Sequence, residues 1–152
     1  MTVRDDAGNI LHETAELIGP IEWLKFRDRI QQVCSGSGIF HFSGHAVFDW
    51  SKPDTSCLKF TGKERPGLAE IRSLQFAPGA LVFLSACGTA RTGHSVERCS
   101  PHGIVNAFFE AGAATAISTL WPVEGAAAAL VAHWFYRAWH SDPYSIVRSV
   151  IR

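Results

Sequence analysis

Neither charge sign prevails in this chain: fourteen Lys and Arg cancel fourteen Asp and Glu over 152 residues. With no basic stripe, nucleic-acid binding has no electrostatic support. None of the four cysteines, at 34, 57, 87 and 99, forms the C-x-x-C spacing of a zinc ribbon or redox motif. The opening "MTVRDDAGNI" lacks the apolar core of a secretory signal, so reduced thiols and a cytoplasmic setting are expected. A long unbroken hydrophobic run is missing too. The richest apolar region, 111–136, is interrupted by Pro122, Glu124 and His133, which suits a buried strand, a loop and a helix better than a membrane span. There is no internal repeat and no low-complexity tract.

What remains is a globular composition, 47% apolar and 18% charged, enough for one sizeable core. Pro20 follows Gly19 as a first helical residue, and Trp23, Phe26, Ile30 and Val33 recur at helical spacing until "SGSG" at 35–38. "IFHFS" (39–43) and "ALVFLSA" (80–86) are short apolar runs bounded by turn residues, the pattern of buried strands. Between them lie turn-rich stretches, a candidate short strand in "CLKF" and a short helix in "LAEIRSL". Residues 88–100 are polar and read as an exposed loop. Ser100-Pro101 then starts a helix that stops at Gly112, "AATAIST" forms a third buried strand, and a long helix runs from Glu124 towards Pro143. Strands alternating with helices predict a parallel α/β sheet, with chemistry gathered at the carboxyl ends of its strands.

Two of those strand ends carry reactive side chains. His45 follows "IFHFS" and Cys87 follows "ALVFLSA". Were the strands neighbours, about 4.8 Å apart, both groups would converge on one carbonyl. A thiol attacks as thiolate and needs a partner. Gly88 removes a Cβ beside Cys87, and the N–H groups of Cys87 and Ala46 are candidates for an oxyanion hole. The alternative is a packed core thiol at Cys87 and a satisfied turn histidine at His45. His41 competes with His45, since residues four apart on a strand share a face. A zinc site built from the two histidines and a cysteine is one reading of His41. A buried, hydrogen-bonded structural role between Phe40 and Phe42 is the reading favoured. His94, Cys99 and His102 match no metal spacing. No metal or cofactor is expected.

The ordered set "HFSGHA", "SCLKF", "AEIRSL", "ALVFLSACGTA", "GIVNAFFEAGAATAISTLWPV" and "FYRAW", running from about residue 37 to 140, resembles CHAT domains, of the caspase, separase and gingipain-like group of cysteine peptidases. The resemblance implies a caspase-like sandwich with a mainly parallel sheet flanked by helices. It implies His45 as catalytic histidine and Cys87 as nucleophile, the histidine acting mainly by protonating the leaving group or polarising the carbonyl. Ala46 and Gly88 would supply the oxyanion backbone. Thr119, Trp121 and Glu124, after the third strand, would line a substrate pocket, with Asp49 and Ser56 at family positions in the loop after His45. Protein or peptide substrates are implied, and tetratricopeptide or other sensor domains often accompany such a module. The chain departs from the pattern at Ala46, where many members have Gly, and at "PVEG", where an Asp is usual near Gly125. The family's early strands and sensor regions are not found ahead of the helix at 20–34, so residues 1–152 read as a single, partial domain. The strand ending at Ser43 is then expected to carry an open edge and the isolated chain to self-associate. The function expected is a cysteine endopeptidase module. The alternative is an inactive scaffold or signalling module that binds a partner protein.

Overall fold

The structure, a computed structural model, describes residues 3–4, 10–12, 23–24, 26–27, 38–61, 63–95 and 98–141. The chain separates into two compact units, residues 20–124 and residues 1–19 with 125–152. Each is described by itself.

The first unit is built on a three-stranded parallel sheet, β3 (Ile39–Ser43), β6 (Leu81–Ser85) and β9 (Thr115–Ile117), with β6 in the centre. All three are the strands expected from the apolar runs. The centre falls to β6 because its residues are apolar on both faces: Leu81, Val82, Phe83 and Leu84 are all buried. Side chains paired across a parallel ladder share a face, which puts Phe40 and Phe42 with Val82 and Leu84, and His41 and Ser43 with Phe83 and Ser85. The first of these faces carries the core. Phe40 lies 5.7 Å from Phe108, 6.0 Å from Phe76 and 5.7 Å from Phe26 between ring centroids, and Phe42 lies 5.3 Å from Phe60. These offset, tilted ring pairs add specific attraction to the area they bury.

Two helices contribute to that core. In α1 (Leu68–Arg72), Leu68 and Ile71 are buried, and the Gly67 N–H donates to Glu70 Oε2 at its start. In α2 (Ile104–Glu110), Ile104, Ala107 and Phe108 form the buried stripe, at the i, i+3, i+4 spacing of one helix face. Arg72 Nε donates to Glu110 Oε2 and joins the two helices. Past α2 the chain turns at Gly112, whose φ of +102° belongs to the left-handed region and where a Cβ would come within 2.9 Å of the Phe76 carbonyl oxygen. Of the helix expected from Pro20, Trp23, Leu24, Phe26 and Arg27 are helical, with Trp23 and Phe26 buried; Ile30 and Val33 lie outside the described residues.

Two antiparallel pairs complete this unit, and of their four strands only Cys57–Lys59, the short strand read in "CLKF", was expected from the sequence. His45–Val47 (β4) pairs with Cys57–Lys59 (β5), and Gly93–Ser95 (β7) pairs with Arg98–His102 (β8). The second pair corrects the reading of 88–100 as a loop and of Ser100-Pro101 as a helix start. Pro101 sits in β8 opposite His94, and the helix begins only at Ile104. Gly103 is extended there and passes so close to the Arg91 carbonyl that a Cβ would lie 2.4 Å from its oxygen, a position only glycine can fill.

In the second unit, Val3–Arg4 (β1) and Ile10–His12 (β2) pair antiparallel, and α3 (Gly125–Ser141) is the long helix expected before Pro143. On α3, Arg137 lies over the Trp134 ring at 5.0 Å, and burial pushes the Tyr136 hydroxyl up to about 12. No helix among the described residues is long and apolar enough to cross a membrane.

Candidate active site at the ends of β3 and β6

The register of β3 against β6 pairs Ser43 with Ser85. His45 and Cys87 each follow by two residues. The two side chains singled out in the sequence therefore leave the carboxyl ends of adjacent parallel strands at the same offset. The Gly44 N–H donates to the Ser85 carbonyl at 3.2 Å and carries the pairing one step past β3. At Gly44 the chain bends, and His45 enters a different sheet as the first residue of β4. His41 and His45 thus belong to separate sheets, so the shared face expected from their spacing does not exist. His45 is exposed and Cys87 is half-buried.

His41 is exposed, which corrects the buried part of its expected role. The hydrogen bond is present: Nε2 lies 3.1 Å from Ser85 Oγ. The imidazole also packs against Phe83, 4.7 Å between centroids, and this desolvation lowers its pKa below the ordinary histidine value.

The turn carrying Cys87 is held from beneath by two threonines. Gly88 adopts a φ of +65° and its carbonyl accepts the Arg91 N–H at 3.1 Å. Thr89 is fully buried. Its Oγ1 donates to the Ala86 carbonyl at 3.0 Å and accepts the Thr119 N–H at 3.3 Å. Thr119 Oγ1 also donates to the Ala86 carbonyl, and its own carbonyl accepts the Ala90 N–H at 2.9 Å. Of the residues expected to line a pocket, Thr119 is therefore brought to the Cys87 turn, with its hydroxyl committed to the backbone. Trp121 and Glu124 are exposed in the segment after β9 and make no described contact with that turn.

Ala46 stands opposite Leu58 in the β4–β5 pair. The Leu58 N–H donates away from β4, to the Pro66 carbonyl at 3.0 Å. Ala46 and Leu58 are accordingly a non-hydrogen-bonded pair, and the Ala46 N–H points away from β5. The loop after β4 is ordered by Asp49. Its carboxylate accepts the Ser51 and Lys52 N–H groups at 2.8 and 3.0 Å and the Thr55 hydroxyl at 3.2 Å, while the Asp49 N–H donates to the buried Ser56 hydroxyl. The N–H groups of Lys52 and Ser51 hold the Asp49 carboxyl below the usual carboxylate range. Asp49 and Ser56 thus build the loop.

Two residues at this end of the sheet went unread in the sequence. Arg91 donates from Nε to the Leu120 carbonyl at 2.8 Å and lies over the Trp50 ring at 5.4 Å. Trp50 in turn meets Phe48 edge to face at 4.8 Å. No local pattern could reveal these contacts, which join positions about thirty to forty residues apart. His102 is buried, with Nδ1 beside Arg72 of α1 and Asp54. Among the described residues no three His, Cys, Asp or Glu side chains gather as metal ligands do.

No curated protein matches the chain. Residues 25–149, most of its length, match the family described as the CHAT domain. With the parallel α/β sheet already in view, the chain belongs to the CHAT domain family, a group related to the caspase-like peptidases.

Proposed function

We propose that the chain is a cysteine endopeptidase module acting on protein substrates through Cys87 and His45. The observation that carries this reading is their common offset past the paired residues Ser43 and Ser85. Cys87 gives its thiol proton to His45, directly or through water, Sγ attacks the substrate carbonyl carbon, and the carbonyl π pair moves onto oxygen. The oxyanion accepts hydrogen bonds from backbone N–H groups at Ala46 and at Cys87–Gly88. The outward N–H of Ala46 supports its part, because a donor spent in the β4–β5 ladder could not serve. As the tetrahedral species collapses, the C–N bond breaks and His45 gives the departing amine its proton. Water then hydrolyses the thioester, returning a carboxylic acid and the free thiol. Thr119 and Thr89 hold the turn, and Trp121 and Glu124 line the substrate path after β9. A reduced thiol nucleophile suits the cytoplasm, and a sensor domain beside this module would set when it acts.

The test is covalent capture followed by cleavage. A peptide acyloxymethyl ketone is expected to modify Cys87 ahead of Cys34, Cys57 and Cys99. Cleavage of a fluorogenic peptide library is expected to vanish in Cys87→Ala and to fall about 10²- to 10⁴-fold in His45→Ala, the usual range for a lost general acid. Labelling of Cys57 or Cys99 first, with Cys87 inert in the folded protein, would overturn the assignment and favour the scaffold reading.

A further inference from the structure

Arg91 is half-buried and fixed on three sides. Its N–H closes the turn on the Gly88 carbonyl, its Nε is bonded to the Leu120 carbonyl, and its guanidinium carbon lies over Trp50. Its stem runs beside the residue after Cys87, since a Cβ at Gly88 would sit 3.2 Å from Arg91 Cδ. These contacts use one of the five guanidinium N–H donors. Among the described residues the two terminal amino groups have neither a carboxylate nor a carbonyl partner. A guanidinium carried only by an aromatic face and one carbonyl retains its full charge and a planar fork that fits a carboxylate. Trp50 is 65% exposed and Leu120 54% exposed, so the assembly opens to solvent. Ion-pair building alone would not account for it, because Arg72, the arginine that joins α1 to α2, has Glu110 as its partner.

We infer that Arg91, stacked on Trp50, is a specificity-determining residue that receives an acidic side chain of the substrate close to the scissile bond. The inference rests on the peptidase reading for its link to Cys87. A carboxylate meeting the terminal amino groups would form charge-assisted hydrogen bonds, with the guanidinium plane already oriented by Trp50 and the Leu120 carbonyl. Loss of one such charged partner costs roughly ten- to a hundredfold in affinity.

Two measurements separate this inference from the reading beneath it. The first is cleavage of matched fluorogenic peptides differing at one flanking position, with Glu or Asp against Gln or Asn and against Lys. Wild type is expected to prefer the acidic peptides by about tenfold or more. Arg91→Gln should reduce that ratio to about one, and Arg91→Lys should restore it only in part, since an ammonium has no planar fork. Arg91→Glu should turn the preference towards Lys, a gain that misfolding cannot imitate. The second is fluorescence anisotropy of the same peptides with the Cys87→Ala protein, which reads binding without chemistry. Cleavage with no acidic preference, or with a preference that Arg91→Gln and Arg91→Glu leave unchanged, overturns the inference and leaves the peptidase reading standing. Absence of all cleavage overturns the peptidase reading; the anisotropy then decides for Arg91. Tighter binding of the acidic peptide that Arg91→Gln abolishes sustains the subsite, and equal binding of acidic and neutral peptides removes it.

Discussion

His41 shows how one side chain can be reached by solvent and still be partly desolvated by its neighbours. The imidazole lies on Phe83 and reaches Ser85, so its pKa falls below the ordinary value of 6.5. The consequence for stability has a definite sign. Between the lowered pKa and 6.5 the unfolded chain binds more protons at this site than the folded chain, so stability falls as pH drops through that window and levels off above it. His41→Gln keeps a polar partner for Ser85 and removes the titration. Its urea midpoint is expected to decline less than that of wild type between pH 8 and pH 5.5. Parallel declines would show that His41 does not contribute to acid sensitivity.

The turn after β6 depends on its neighbours more than on its own residues. Ala86 offers one carbonyl to two threonine hydroxyls, and Thr89 passes the connection on to Thr119 N–H. Thr89→Val keeps the shape and removes both hydrogen bonds of a fully buried hydroxyl. Leaving the Ala86 and Thr119 backbone groups short of a partner is expected to cost roughly 1–3 kcal/mol in urea unfolding. Labelling of Cys87 by the ketone should slow as the turn loosens. A stability loss within experimental error would show that the turn is held by Gly88 and the Ala90–Thr119 bond instead. The strands themselves were legible as short apolar runs between glycines and turn residues, and the end of α2 at Gly112 was legible because glycine tolerates positive φ. β7 and β8 were not, because polar residues with a proline among them carry no periodic signal until a partner strand fixes them.

For the whole molecule, the sheet edge and the charge balance act together. Among the described residues β3 is hydrogen-bonded to β6 and to no other strand. Phe40 and Phe42 are nevertheless buried, so what the edge offers another chain is backbone N–H and C=O groups more than apolar side chains. With zero formal net charge at neutral pH, little repulsion keeps copies apart. Sedimentation at pH 7 is expected to show association that grows with concentration. Ile39→Lys, at the half-buried start of β3, should reduce it. A single monomeric species at every concentration, unchanged by Ile39→Lys, would show that this edge is covered.

Residue type and order alone determined the alternation of strands and helices, the placing of a histidine and a cysteine just past two of the strands, and the family resemblance. Burying an apolar run and ending it on a turn are local demands that composition meets. Only the tertiary structure decided that β6 lies between β3 and β9, that His45 leaves one sheet for another at Gly44, and that Thr89, Thr119 and Arg91 serve the Cys87 turn. Those outcomes depend largely on hydrogen bonds and ring contacts between residues from about ten to about forty positions apart. Such pairings arise when the chain closes on itself, and no spacing along it encodes them.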